Sequence, residues 1–448
     1  MSSLISRYQF SGGQAAKRFS DIEQLAMPLN LTGRHPLVEV ELLKSGLKRI
    51  FLCSKQDKEI ILQFLALGES HAEIHYPSAM GHMKGLNAKF PWGDTMDPAI
   101  MFTGLAGTGK TELLKALRRL LGERSAHDLP GHDGVPLVPG WFMTLRNGSG
   151  LNNLLLPWLE QPNEFSESND EKERCKDLKL PRLLELARRV AFRDGVCIMT
   201  ADEFQFVSKS VNANSMATTL LLQLLSIGPR LIYCANYSLA HRLKARRQED
   251  RQRLLIHQIH LKPESFFGPD GTRLLKEYFE TMPEDFKFDA ATVAQQLQDY
   301  SFGIKRLVVD ILGLSWMRAK TSRGWNAVVT TDDFRWAHLS SQFRVNREDV
   351  EILQRQEIER KQIREDLWDP FYSEQQGNVL EAKPAIAAFE KRVEEKRLDS
   401  FLTPNELSGF RAIQKFAESK PKELKVVPLR GGKRSKQGLA DALNLLDD

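Results

Sequence analysis

Cysteine is scarce in this chain: four in 448 residues, at positions 53, 175, 197 and 234, widely separated and two of them inside the most apolar runs. That scatter excludes a disulfide framework or a Cys-rich zinc site and fits buried free thiols in a reducing compartment. Long hydrophobic runs are missing as well. Nothing approaches the length of a membrane span, and the first twenty residues, MSSLISRYQFSGGQAAKRFS, lack the apolar centre of a secretory signal. The expected location is cytoplasmic, with no membrane partner. No internal repeat is found. Nor does one sign of charge dominate: 63 Lys and Arg stand against 58 Asp and Glu, a net +5. Such mild basicity permits a polyanionic partner without demanding one.

What is present is an ordinary soluble composition, 42% apolar and 27% charged, on a length that calls for roughly two to four structural units. Residues 1–34 are polar and Ser/Gly-flecked, as in an arm or docking segment. From His35 to Leu67 apolar positions recur at three and four, which predicts helix. AIMFTG, GWFMTL, VCIMTAD and RLIYCAN read as short buried strands. Between them, GLAGTGKTELLKALRRLLG, LPRLLELARRVAF and SMATTLLLQLLSIG read as helices, the last ended by Gly228 and Pro229. Strands alternating with helices predict an α/β fold with a parallel sheet covered on both faces. After residue 262 strand signals fade into helices, and from 343 onward charge of both signs dominates, ending in a basic tail.

GLAGTGKT at 104–111 matches G-x-x-x-x-G-K-[ST], with a strand before it and a helix after it. Glycines let the backbone curl until several N–H groups point at a phosphate, and the helix adds its positive end. Gly104, Gly107, Thr108, Gly109, Lys110, Thr111 and Glu112 are therefore the expected ATP-binding residues. Lys110 would reach the β and γ phosphates, and Thr111 would hold Mg²⁺ through its hydroxyl. This site explains an otherwise costly choice further on, where the apolar run VCIMTA ends in Asp202 and Glu203. Asp202 would serve the Mg²⁺, while Glu203 would orient and deprotonate the attacking water. One buried ion pair is the plainer reading of two adjacent acids, but it needs only one of them.

Asn236 ends the next strand, where it would hold the attacking water from the other side; as a strand-end residue it also suits a simple turn. In RRQEDRQRLL, Arg253 is the first choice for a finger reaching a neighbouring subunit's nucleotide, with Arg251 and Arg247 behind it. In SFGIKRLVVDIL, Lys305 and Arg306 open a helix, and Arg306 is preferred as the γ-phosphate contact. Two motif look-alikes are set aside. FSGGQ at 10–14 lies on the wrong side of the phosphate loop for a transporter signature, and HAEIH at 71–75 lacks the Glu directly after its first His that a metalloprotease helix needs.

In this order, over about residues 35–342, the motifs resemble those of AAA+ ATPases. Within that class the chain is similar to the TnsC/TniB family of DNA-transposition regulators. The similarity is carried by HPLVEVELL, WFMTLRNGSGLNNLL, the DEFQ ending, SFGIKRLVVDILGLSWMRAK and TTDDFRWA. The resemblance implies an AAA+ P-loop core whose parallel sheet is covered by helices (35–262), after an N-terminal arm (1–34). An all-helical lid (263–342) and a charged C-terminal extension with a basic tail (343–448) follow. It also implies ATP and Mg²⁺ as cofactors, ATP hydrolysis, and a homo-oligomeric ring or filament on duplex DNA. Transposase and target-selector proteins are the implied partners. A replication-initiator or helicase-loader ATPase, or a nucleotide-switched scaffold with negligible turnover, are the alternatives. Binding to phosphates without sequence preference needs a basic surface. Arg146, Lys172, Arg174, Lys176 and Lys179 are candidates, as are Lys420, Lys422, Lys425, Arg430, Lys433, Arg434 and Lys436 of the tail. The polar insertion over 146–180 and the last hundred residues depart from the family pattern.

Overall fold

The computed structural model describes residues 3–372, apart from 10–12, 32–34, 87, 89–91, 93–96, 130, 146–149, 160–178 and 204–210. Arg146, Lys172, Arg174, Lys176, Cys175 and the whole basic tail lie outside the described residues.

Helices α1 (Ser3–Ser6), α2 (Gly13–Asp21), α3 (Pro36–Arg49), α4 (Lys55–His75) and α5 (Ala79–Leu86) come first. Strand β1 (Ile100–Thr103) feeds α6 (Lys110–Leu121), followed by β2 (Ser125–Leu129), β3 (His132–Leu137), β4 (Trp141–Thr144), α7 (Leu151–Leu159) and α8 (Leu180–Arg193). Next are β5 (Ile198–Asp202), α9 (Val211–Leu225), β6 (Arg230–Ala235), α10 (Tyr237–Lys244), α11 (Gln248–Leu254) and β7 (His257–His260). Helices α12 (Pro269–Glu280), α13 (Ala290–Ser301), α14 (Lys305–Arg323), α15 (Thr331–Leu339) and α16 (Arg344–Glu359) complete the order.

Five strands form one sheet in the order β4-β5-β6-β1-β7, and every neighbouring pair in it runs parallel. All residues of β1 and β5 are buried, which is why both read as unbroken apolar runs rather than as alternating ones. The parallel sheet and its covering helices are those expected from the sequence. In α6, Leu113, Leu114, Leu117, Leu120 and Leu121 form the buried face, and Gly122 ends the helix at φ 77°. The stretch from His35 to Leu67, expected to be helical, forms α3 and the first part of α4. Ser54 and Asp57 cap each other's backbone groups at the start of α4, a reciprocal box that fixes a new helix origin.

Two apolar clusters organise the body. One surrounds the sheet; the other joins α3 to the helices after β7. Leu43 and Leu47 of α3 are fully buried in the second cluster beside Val308 and Leu312. Gly313 allows this approach, since a Cβ there would lie 2.7 Å from Lys44 Cε. Lys44 in turn pairs with Asp310 at 3.2 Å.

The segment read as an arm packs against this body over its described residues. Ile5, Tyr8, Phe19 and Ile22 are buried in the sheet cluster, and Tyr8 donates its hydroxyl to the Pro139 carbonyl at 3.0 Å. Glu23 accepts from both terminal nitrogens of Arg273 on α12, at 2.9 and 2.7 Å. A hairpin of β2 and β3 was not expected. Its sequence, SAHDLPGHDGVPL, carries too few β-branched residues to announce strands.

After α16 the chain crosses back from the helical lid to the core. The His241 ring bonds the Trp368 carbonyl at 2.9 Å and Lys244 donates to the Pro370 carbonyl at 2.7 Å. Asp369 meets His260 at 2.9 Å. On the lid side, the Gln356 side-chain carbonyl accepts from the amides of Ile363 and Arg364, and its amide donates to the Leu367 carbonyl. Among the described residues, no helix is long and apolar enough to cross a membrane, and Cys53, Cys197 and Cys234 are free and buried.

Candidate functional site

In an open parallel sheet, ligands bind beyond the carboxyl ends of the strands, where the strand order reverses. Three strand ends deliver chemistry to that edge here: β1 leads into the 104–111 loop, β5 ends at Asp202, and β6 ends just before Asn236. They line a cleft of about 340 Å³ together with residues of α3, α12 and α14.

The loop is built by glycines that no other residue could replace without strain. Gly104, Gly107 and Gly109 have φ of 155°, 88° and 114°. A Cβ on Gly104 would lie 2.4 Å from the Leu261 carbonyl oxygen. Thr108 is buried and donates to the Leu105 carbonyl at 3.0 Å, bracing the turn from behind. Lys110 opens α6 with its ammonium donating to the carbonyls of Gly104 and Leu105, each at 2.8 Å. Burial pushes its pKa down to about 8, against the pull of Cys234, Asp202 and Glu203. A buried cation bonded only to neutral carbonyls is suited to an incoming anion, which would restore its charge preference.

Thr111 Oγ1 donates to Asp202 Oδ2 at 2.6 Å, which brings the hydroxyl of the loop and the carboxylate of β5 to one point. Hydroxyl and carboxylate oxygens suit a hard cation such as Mg²⁺, which takes few protein ligands and completes its shell with phosphate oxygens and water. Among the described residues no group of three or more His, Cys, Asp and Glu could hold a metal by itself. Glu203 follows at φ 63°, a left-handed conformation that costs a non-glycine residue roughly 1–2 kcal/mol. Its amide donates to Asp202 Oδ1 at 2.8 Å. The turn therefore separates two adjacent carboxylates, leaving Asp202 on Thr111 and Glu203 on the cleft wall.

Of the residues expected from the sequence, Gly107, Gly109, Lys110, Thr111, Glu112, Asp202, Glu203, Asn236 and Arg306 all line the cleft. Glu112 is paired at 2.7 Å with Lys115, one turn along α6. Asn236 is the N-cap residue of α10, with no side-chain bond to that helix. Arg306 sits directly over the loop: its amide donates to the Gly107 carbonyl at 3.2 Å. A Cβ on Gly107 would lie 2.9 Å from Arg306 Cβ and 3.0 Å from its Nε. Lys305 also lines the cleft, but its ammonium is paired with Asp57 and Glu264. Arg253, Arg251 and Arg247 are exposed on α11 or at its start and do not line this chain's cleft. Lys179 is exposed at the start of α8.

Sequence reasoning missed the apolar wall. Leu47, Ile50, Phe51 and Leu52, from α3 and the turn after it, face the cleft with Leu274 and Tyr278 of α12 and Val309 of α14. Apolar wall and cationic loop together suit a ligand with a flat ring at one end and phosphates at the other. Nothing local marks these residues, because they are ordinary core positions of three distant helices.

No known family profile and no curated protein matches the chain. Among solved structures it is similar to the Aeropyrum pernix ORC1 protein in complex with DNA. Identity there is 17%, over 68% of this chain and 69% of that one, with a TM-score of 0.36. It is also similar to C. elegans PCH-2, at 13% identity over 66% of this chain and 70% of that one, with a TM-score of 0.34. Both likenesses are distant, and the fold is defined by its own strand order and loop. That fold is a parallel α/β core with a glycine-rich loop after β1, followed by helices.

Proposed function

We propose that this chain is an ATP-dependent, DNA-binding AAA+ regulator of DNA transposition. In this reading it is a cytoplasmic ATPase that assembles as a homo-oligomer on duplex DNA and links target-site selection to a transposase. The observation that carries the nucleotide part is the 2.6 Å bond from Thr111 to Asp202, made beside the buried ammonium of Lys110. Thr111 and Asp202 would hold Mg²⁺, and Lys110 would neutralise the β and γ phosphates. Bound Mg–ATP supplies the phosphoanhydride whose terminal phosphoryl group passes to water. Glu203 would take the proton from that water, with Asn236 fixing its position. Arg306 would offset charge at the γ-phosphate, and Arg253 would act on a neighbouring subunit's nucleotide.

The transposition part is supported by the sequence resemblance, from HPLVEVELL through DEFQ to the SFGIKRLVVDIL string. The boundaries 1–34, 35–262, 263–342 and 343–448 belong to the same proposal. One experiment tests both parts. Wild type and Glu203→Gln are compared for ATP turnover, then imaged by electron microscopy with ATP, a slowly hydrolysed analogue and plain duplex DNA. Turnover that falls in Glu203→Gln, with protein coating the duplex when nucleotide is present, supports the proposal. Equal turnover in both proteins removes the enzyme; a protein that stays monomeric beside bare duplex removes the regulator. A requirement for an origin sequence or a helicase would favour the initiator or loader alternative.

A further inference from the structure

Arg306 reaches the 104–111 loop, where its amide donates to the Gly107 carbonyl at 3.2 Å. Helix α14 begins at Lys305 with no side-chain cap: its N-cap residue, Ile304, has none to offer. A second tie holds the start of α14. Lys305 lines the cleft beside the loop, its Cδ 3.7 Å from where a Cβ on Gly109 would lie, and places its ammonium 3.4 Å from Glu264 Oε2 and 3.7 Å from Asp57 Oδ2.

These two acids come from separate parts of the chain. Asp57 closes the capping box at the start of α4, where Ser54 donates both its amide and its hydroxyl to Asp57 Oδ2 at 3.2 and 2.9 Å. Glu264 lies in the linker between β7 and α12, and its amide donates to the Gly303 carbonyl at 2.9 Å. Gly303, at φ 72°, cannot be replaced there, since a Cβ would fall 1.9 Å from the Glu264 carbonyl oxygen. Core helix, inter-domain linker and lid helix therefore converge on one ammonium. The Asp57 side chain is 2% exposed, Glu264 13% and Lys305 20%, so the attraction acts largely out of water and is weakly screened. Burial works against the charge on Lys305, but Asp57 and Glu264 outweigh it and hold its pKa above the usual lysine range.

We propose that Lys305 is a positioning residue for hydrolysis: by clamping the first turn of α14 to Asp57 and Glu264, it sets the place of Arg306 over Gly107. This rests on the ATPase reading above and adds a residue whose ammonium is engaged by two carboxylates rather than by the loop. Misplacing a charge-stabilising group by about 1 Å can cost on the order of a hundredfold in rate. Loss of the clamp is therefore felt in kcat, while a nucleotide held by Lys110 and the apolar wall keeps its KM.

The test is a double-mutant cycle in the full chain, read as steady-state ATP turnover and as binding of a fluorescent ATP analogue. Lys305→Met is expected to lower kcat by about tenfold to a hundredfold with KM nearly unchanged, and Lys305→Arg to restore most of the loss. In an Arg306→Ala background, Lys305→Met is expected to add little, because residues acting as one unit are non-additive. Glu264→Gln, which weakens the pair but keeps Lys305 and Asp57, carries the same test should Lys305→Met fail to fold. An equal kcat penalty in both backgrounds, or no penalty in wild type, overturns the clamp while leaving the ATPase intact. Wild-type protein without Lys110-dependent turnover removes the ATPase reading, and the clamp with it.

Discussion

The amide of Arg306 donates to the carbonyl of Gly107 at 3.2 Å, so a lid helix begins in contact with the phosphate loop. Gly107 has φ 88°, and any Cβ on it would lie 2.9 Å from Arg306 Cβ. Gly107→Ala is expected to cost about 1–3 kcal/mol through backbone strain, and to push α14 away from the loop. Thermal melts should show the destabilisation, and ATP-analogue titrations should show weaker binding. A variant that melts and binds like wild type would break the link between this glycine and the lid.

Thr111 and Asp202 lend themselves to a second comparison. Thr111→Val keeps the branched shape and removes the donor, leaving Asp202 without its 2.6 Å partner. A hydrogen bond to a charged group is worth about 1.5–3 kcal/mol, and that loss should appear in chemical denaturation without nucleotide. Mg²⁺-dependent stabilisation by ATP should fall as well, whereas Thr111→Ser should retain both properties.

In the lid, Asp285 accepts from Lys320 Nζ at 2.6 Å and from Trp316 Nε1 at 2.7 Å. Lys320 also donates to the carbonyls of Trp325 and Ala327. All three side chains are largely buried. Asp285→Ala strands a buried ammonium, and the expected cost is about 3–5 kcal/mol. Asp285→Asn keeps the acceptor for Trp316 and should cost less. Urea midpoints of the two variants decide it, with equal values counting against the network.

Acid sensitivity should trace in part to His71. Its ring is buried against His75 and Trp92, and burial, assisted by His75 and Arg230, pushes its pKa down to about 2. The unfolded chain protonates this histidine near pH 6.5, while the folded chain does not. Between pH 6.5 and 5 the unfolded state therefore binds the extra proton, and stability falls as pH falls, by up to about 1.4 kcal/mol per unit from this group. His71→Phe keeps an aromatic ring and removes the proton site. Its stability should vary less steeply with pH across that window; an unchanged slope would exonerate His71.

Legibility in the sequence followed the range of the physics. The sheet and the phosphate loop could be read because each rests on a local signal: apolar runs for β1 and β5, glycines at fixed offsets before Lys110, twin acids after β5. Arg306 could be read because it opens a helix. The clamp could not, since Lys305 and Asp57 are 248 positions apart in number and only folding pairs them. Leu47, Leu274 and Tyr278 of the cleft wall were equally silent, being core residues whose second role depends on what stands opposite. The start of α4 is marked by Ser54 and Asp57, a capping box three residues apart that stands between the two apolar patterns.

The stretch that follows α16 gives the lid a second attachment. A domain joined at a single linker can swing freely about it, but this one is also fastened where His241, Lys244 and His260 grip residues 368–370. With anchorage at both ends, a large rotation must first peel the returning segment from α10. Because Asn236 is the N-cap of α10, any such peeling tugs on the same helix whose cap residue faces the cleft.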